Sequence, residues 1–270
     1  MRPLHQADLR KVRAVFTDVD GTLTTGGRLH SSTVKALEWL VAYGVQVVLV
    51  SGRPSGWGEC WARQLPVAGV IVENGGLYFA RAPGGRLKKV YAQPALATRV
   101  ANRARLVREV NAALQAVPGA RLSMDSVATE VDLAIDYAEE AALGPAGAEQ
   151  LERHLRSRGV TAVRSSVHVN CWLGRFDKCS MVEKFIRTEW GLTLKPSDPR
   201  FVYLGDSYND EPMFRAFSLS VGVANVIDVV DRLTHSPKFV TRAREGRGFR
   251  ELADAIVRNT APTPRTKEHR

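Results

Sequence analysis

The 270-residue sequence predicts an α/β fold, a parallel sheet with helices interrupted by an inserted α+β cap, and three observations carry that reading. First, short apolar runs at 12–17, 45–50, 69–73, 201–204 and 219–223 alternate with segments of helical spacing, the pattern of strands buried on both faces of a parallel sheet. Second, from about Pro83 to Cys171 the pattern changes to paired strand-like segments with helices, which fits a separate antiparallel module. Third, Asp18, Asp20, Ser51 and Asp206 fall where apolar runs end, and open α/β sheets place ligands at the carboxyl ends of their strands. The expected organisation is core over 1–82, cap over 83–171, core again over 172–260 and a disordered tail over 261–270 (Pro262–Arg270).

Composition bounds the partners. Hydrophobic residues make up 44% and charged residues 24%, the balance of an ordinary globular protein. No apolar run approaches the roughly 18 residues of a membrane span, and Met1–Gln6 lacks the apolar core of a secretory signal; a cytoplasmic protein without a membrane partner is expected. Cys60, Cys171 and Cys179 are odd in number and lack metal-type spacing, so they read as reduced thiols. The formal charge of +10 could attract polyanions. Its carriers are scattered, however, with Arg99, Arg103, Arg105 and Arg108 on one helical stretch and no recognisable nucleic-acid module. A solvated face, or a field attracting a small phosphorylated substrate, accounts for them, and nucleic acid is not the expected partner. A homo-oligomer stays open.

The elements follow in order. The apolar run that starts at Val12 ends in Asp18-Val19-Asp20-Gly21-Thr22-Leu23-Thr24. Side chains at i and i+2 of a strand share a face, so both acids can address one small volume. Two anions that close repel each other and call for a cation; Mg²⁺, a hard ion held by one or two carboxylates plus waters and phosphate, fits. Asp and Gly are also ordinary turn residues. Thr22–His30, with Gly26-Gly27, reads as a hairpin-like flap. Ser31 or Ser32 caps a helix over Thr33–Tyr43, with Val34, Leu37, Leu40 and Val41 on its inner face and Gly44 ending it. Strand Val45–Val50 leads to Ser51-Gly52-Arg53-Pro54, where a hydroxyl and free N–H groups can hold phosphate oxygens, although such a loop is also commonplace. A helix over Ser55–Leu65, with Trp57 and Trp61 as packing residues, precedes strand Gly69–Glu73; Asn74-Gly75-Gly76 then turns into Leu77–Ala80.

Within the cap a helix is expected over Pro94–Val117, strands over Arg121–Val127 and Glu130–Tyr137, a helix over Gly147–Arg158 stopped by Gly159, and strands over Val160–Ser165 and Val167–Leu173. The core resumes at Gly174-Arg175-Phe176-Asp177-Lys178, before an amphipathic helix carrying Met181, Val182, Phe185 and Ile186. An ammonium at a helix start opposes the helix dipole, so Lys178 should have an anionic partner elsewhere. Strand Phe201–Leu204 ends in Gly205-Asp206-Ser207-Tyr208-Asn209-Asp210, three oxygen-bearing side chains in five residues, suited to a cation. A helix over Glu211–Phe217, strand Leu219–Val223, a helix after Ala224-Asn225, strand Lys238–Thr241 and a terminal helix over Gly248–Asn259 complete the chain.

Four motifs in this order, D-V-D-G-T-L-T, S-G-R, the helix-start lysine and G-D-x-x-N-D, resemble those of the haloacid dehalogenase (HAD) superfamily hydrolases. Glu73-Asn74-Gly75 resembles a loop near the active site in the type IIB-like branch that includes sucrose-phosphate and mannosyl-3-phosphoglycerate phosphatases. The resemblance covers residues 12–80 and 174–258, while the cap is matched by position and pattern. It implies a Rossmann-like core and a Mg²⁺-dependent phosphatase. Asp18 would attack phosphorus and become an aspartyl phosphate, and Asp20 would be general acid and base. Lys178 would neutralise Asp18 and the phosphoryl group. Ser51, Gly52, Arg53, Asn74 and Lys178 would bind substrate. Asp18, the Asp20 main-chain carbonyl and Asp206 would hold Mg²⁺, with Asn209 and Asp210 ordering the loop, a coordinated water or Lys178.

The branch implies a phosphorylated sugar or sugar derivative, with the cap reading the leaving group. His168, Asn170, Arg121 and Arg164 are candidates for that contact, as they are for packing or pairing. Other readings compatible with the motifs are a phosphomutase (phosphomannomutase-like), a nucleotide or cofactor phosphatase, and a polyanion-binding protein on a degenerate hydrolase scaffold.

Overall fold

The computed structural model describes residues 1–165 and 167–259, so the tail expected over 261–270 lies outside the described residues. The first part of the chain gives β1 (Arg2–Pro3), β2 (Ala14–Thr17), α1 (Ser31–Ala42), β3 (Gln46–Val50), α2 (Ser55–Gln64), β4 (Gly69–Val72), β5 (Leu77–Arg81) and β6 (Leu87–Tyr91). The middle gives α3 (Leu96–Ala116), β7 (Arg121–Leu122), β8 (Asp132–Asp136), α4 (Gly144–Ser157), β9 (Thr161–Arg164) and β10 (His168–Trp172). The last part gives α5 (Lys178–Trp190), β11 (Phe201–Gly205), α6 (Glu211–Ala216), β12 (Leu219–Gly222), β13 (Phe239–Val240) and α7 (Glu245–Asn259).

Among the described residues, nine strands form one sheet in the order β1-β13-β12-β11-β2-β3-β4-β5-β6. From β1 to β4 it is parallel, and β5 and β6 add antiparallel strands at one edge. Because strand side chains alternate, β2 feeds both faces: Val15 packs with α1, α2 and α7 residues such as Leu37, Ala62 and Phe249, while Phe16 packs with Val182, Phe185 and Phe214 of α5 and α6. The chain runs from β2 to β3 on one side and returns as β11 on the other. That reversal opens a crevice at the strand ends, and it leaves Asp18 and Asp206 on neighbouring strands.

The cap is a four-stranded antiparallel sheet, β7-β8-β10-β9. Leu133, Ile135, Val169 and Cys171 of its inner strands pack with Leu106 and Val110 of α3 and with Leu151 and Leu155 of α4. Alternation turns Asp132, Asp136, His168 and Asn170 to the other face.

The structure corrects several expectations. Leu87–Tyr91, placed in the insertion, instead extends the large sheet through pairing with β5. The Lys88-Lys89 pair hid it, and these lysines reach Glu189 and Glu130 instead of breaking the strand. Arg121–Val127 is not one strand, because Met124–Ala128 winds into a 3₁₀ turn. Neither Ser31 nor Ser32 caps α1; the N-cap is His30, without a side-chain hydrogen bond, and the helix buries Thr33 and Ala36 where Val34 and Val41 were expected. The segment after Asn225 forms short 3₁₀ turns in place of a helix. All three cysteines are free. Among the described residues no helix is long and apolar enough to cross a membrane.

Candidate active site

Local sequence sets the site's frame. After β2 the Asp18 N–H donates to Leu204 O of β11 at 2.8 Å, tying the two strand ends together. Gly21 then turns with φ +73°, and a Cβ there would lie 2.6 Å from Asp206 Oδ2, so only glycine lets the two loops approach. On the facing helix, Asp177 accepts from Ser180 N at 2.7 Å and Ser180 Oγ in turn accepts from Asp177 N at 3.0 Å. This capping box begins α5 at Lys178.

Lys178 is 2% exposed and donates to Asp18 Oδ1 at 2.6 Å and to Asp210 Oδ1 at 2.7 Å. Burial alone would lower its pKa, but Asp18 and Asp210 outweigh burial and raise it, so it stays an ammonium. Asp206 accepts from Thr22 Oγ1 and Asn225 Nδ2, each at 2.9 Å. Asp18, Asp206 and Asp210 bring carboxylate oxygens within 4.8 Å of one another. Asp210 is already saturated: Oδ1 accepts from Lys178 and Tyr203, and Oδ2 from the N–H groups of Asp206 and Ser207. It therefore organises the loop and the lysine, leaving Asp18 and Asp206 as the side chains free to hold a cation. Burial raises the pKa of both. Asp18 is further pushed by Asp210 and Asp206 against the pull of Lys178, and Asp206 is pushed up to about 7 by burial and Asp210. Three carboxylates share one ammonium, a surplus that a divalent cation on oxygen ligands would offset.

Asp20 points elsewhere. Its carboxylate accepts from Arg53 Nε and NH2 at 3.0–3.2 Å. Ser51 is buried with its Oγ accepting from Arg53 N at 3.0 Å. A small cavity of about 20 Å³ is lined by Asp18, Asp20, Gly52, Arg53, Asn209 and, from the cap, His168 and Asn170. Asn209 accepts from Ser207 Oγ at 2.7 Å.

Asn74 proves more than a turn residue. It adopts φ 53°, lies buried beside Gly52, and donates to Asp132 Oδ2 at 3.0 Å. It also borders a separate cavity of about 370 Å³ that reaches Lys178, Trp172 and Tyr208. Gly75 makes this possible: at φ +96° a Cβ would lie 2.1 Å from Asp177 O.

Of the cap candidates, His168 and Asn170 face the nucleophile. Arg164 lies instead in a third cavity of about 390 Å³ beside Asp206, paired with Glu152 at 2.7 Å. Arg121 pairs with Asp136 at 3.7 Å and lines none of these three cavities.

Sequence reasoning missed several contributors. Thr22 sits inside the first motif and could have been found there. Asn225, which also donates to Gly21 O at 3.0 Å, was signalled only by following a strand. Asp125 and Glu139 act through partners far along the chain, and no local signal marks them, while Glu73 was marked only as part of the Glu73-Asn74-Gly75 loop.

Fold and site together describe a doubly wound core with an inserted antiparallel module and a buried cluster of carboxylates and one lysine at the strand ends. Residues 15–111 of the chain match the family model of haloacid dehalogenase-like hydrolases. Its fold is similar to that of Thermoplasma acidophilum protein 0175, at 20% identity over 91% of this chain and 98% of that one, with TM-score 0.68. It is also similar to the sucrose-phosphatase of Synechocystis sp. PCC6803, solved with sucrose and phosphate (16% identity, 92% and 98% covered, TM-score 0.63). A haloacid dehalogenase subclass IIB sugar phosphatase aligns over 92% of this chain and 97% of its own at 19% identity and TM-score 0.59.

Proposed function

We propose that the protein is a Mg²⁺-dependent phosphomonoesterase that hydrolyses a phosphorylated sugar or sugar derivative through an aspartyl phosphate on Asp18. One observation carries this reading: buried Lys178 lies 2.6 Å from Asp18 and 2.7 Å from Asp210, with Asp206 in the same cluster. An ammonium so placed pulls Asp18 toward its ionised form against burial and the neighbouring acids and offers its charge to the equatorial oxygens of a phosphoryl group. Asp18 and Asp206, both oxygen donors, are the side chains that would hold Mg²⁺, together with the Asp20 main-chain carbonyl. When bound, the ion neutralises phosphoryl charge that these carboxylates would otherwise repel.

The residues divide the work. Asp18 attacks phosphorus in line as the bond to the leaving oxygen breaks. Asp20 gives its proton to that oxygen and the alcohol departs. Asp20 then takes a proton from water, whose oxygen attacks the aspartyl phosphate, releasing inorganic phosphate and restoring Asp18. Ser51 and the N–H groups of the loop after it hold phosphate oxygens, and the cap above keeps bulk water out. The sugar leaving group rests on the subclass IIB sugar phosphatase and the sucrose-phosphatase among the fold's neighbours and on the polar cap face carrying His168 and Asn170.

The test is a phosphate-release screen across sugar phosphates, sugar-acid phosphates and nucleotides, with Mg²⁺ and with chelator. Release from a sugar phosphate only with Mg²⁺ is expected. Isomerisation of a sugar phosphate without free phosphate would overturn the hydrolytic reading.

A further inference from the structure

Helix α3 packs on the cap sheet through Leu106, Val110 and Ala113, and helical spacing turns a second apolar row outward. Leu96, Val100 and Val107, at i, i+4 and i+11, fall on one stripe and are 40–65% exposed. With Tyr91 of the edge strand β6 they line an open groove of about 500 Å³. The acid in that groove, Glu130, is neutralised by Lys89 at 2.7 Å. Beside it the turn Met124–Ala128, tied to α3 by a 2.8 Å bond from Arg103 to Thr129 Oγ1, leaves Met124 83% and Val127 94% exposed.

Positive charge borders this apolar surface. Arg99 donates to the carbonyls of Gln93 and Pro94 at 3.0 and 2.7 Å and covers the Tyr91 ring at 3.7 Å. Arg103 donates to Thr129 and to Asp132 O, Arg105 to Arg158 O at 3.0 Å, and Arg108 to Ala104 O at 3.3 Å. None of these four forms an ion pair among the described residues, and the one acid of the helix, Glu109, is taken by Arg158. Guanidiniums bonded only to neutral groups keep their charge for an outside partner. The helical repeat sets Arg103 on one flank of the stripe and Arg108 on the other.

We propose that this face of the cap docks the protein on an anionic phospholipid surface, the apolar side chains entering the acyl boundary and the arginines meeting headgroup phosphates. An apolar stripe bordered by arginines is the chemistry of an interfacial helix. A second copy would set the same four arginines against one another. Nucleic acid would satisfy the arginines but leave Leu96, Val100 and Val107 in water. Met124 and Val127 protrude, and a bilayer receives them without the shaped pocket that a protein partner would need. The expectation of no membrane partner rested on the lack of a spanning apolar run. Docking requires no such run, because its apolar residues are spaced along a helix.

The test is flotation of the full chain with vesicles of phosphatidylcholine alone and of phosphatidylcholine containing about 30% phosphatidylglycerol. Binding to the anionic vesicles only is expected, with release at about 0.5 M salt as the charges are screened. Leu96→Gln/Val100→Gln keeps every charge and should weaken binding about tenfold or more. Arg99→Gln/Arg108→Gln should weaken it by about fivefold for each guanidinium. Arg10→Gln/Lys35→Gln, which removes the same charge from exposed positions of the core, should bind as the wild type does. Equal melting temperatures separate lost docking from lost fold; should the arginine variant melt early, the apolar pair alone decides. No flotation with anionic vesicles at low salt, equal flotation with neutral ones, or undiminished binding by Leu96→Gln/Val100→Gln overturns the proposal. So does a dimer, seen by sedimentation, that the same apolar variant dissolves.

Discussion

Two groups of buried carboxylates lie at the same end of the large sheet, and they are compensated in opposite ways. Beyond β2 and β11, Asp18, Asp206 and Asp210 share one ammonium from Lys178. Beyond β4, Glu73 is surrounded by peptide N–H groups of Ser55, Glu130, Val131 and Asp132. Burial raises the pKa of acids in both groups, with Asp132 pushed further by Glu73. Fixed dipoles cannot move or exchange, so the second group is suited to joining cap and core. In the proposed mechanism, a lysine and an exchangeable cation would leave an oxygen of Asp18 available to react. A buried acid is thus a structural part when its partners are backbone and a chemical one when they are mobile charges.

Isosteric replacement separates the two groups most sharply. Asp18→Asn should lower kcat by about 10⁴-fold or more and leave the melting temperature equal or higher, because it removes one of three crowded charges. Lost folding in that variant would make Asp18 structural. Lys178→Ala should cost about 10²–10³-fold in turnover and, as the loss of one partner of a buried ion pair, about 3–5 kcal/mol of stability, read by urea unfolding. Glu73→Ala should act chiefly on stability: it orphans buried N–H donors at about 1–3 kcal/mol each, and a fall in melting temperature of about 10 °C is expected. Glu73→Gln, which keeps an acceptor oxygen, should recover part of it. A Glu73→Ala protein that melts normally would remove the joint from this comparison.

The smallest effect is on pH. Asp206, at about 7 against an ordinary 3.8, favours the metal-free fold when protonated; that contribution is whole below about pH 4 and is lost as pH rises through about 7. Chelator-treated protein should therefore lose stability across this window. Mg²⁺ at about a hundredfold excess over its Kd should raise the melting temperature by about 5–10 °C at pH 7.5 and by much less at pH 5. Equal increments at both pH values would show that the ion does not displace protons from this cluster.

The same contrast explains what the sequence revealed. Asp18, Ser51, Lys178 and Asp206 were legible because each ends a strand or begins a helix, so its position follows from local pattern. The α/β class and the antiparallel cap followed from periodicity for the same reason. Glu73 read only as a strand end in a loop resembling one near the active site, with no sign of its role as a joint, because the N–H groups it accepts are 57–59 residues away except for that of Ser55. Arg53 could be read only as a substrate ligand because Glu139 is 86 residues distant. The β6 strand was hidden by lysines that are satisfied only by tertiary partners. Asp210 could be named as an organiser, but the four donors that saturate it appear only in the folded chain.

The account rests on Asp18 carrying the phosphoryl group. Rapid acid quench of the enzyme with Mg²⁺ and a ³²P-labelled sugar phosphate, followed by peptide mapping, should place label on the peptide containing Asp18 and none there in Asp18→Asn. Mg²⁺-dependent phosphate release that proceeds at the wild-type rate in Asp18→Asn, or label found on another residue, would contradict it.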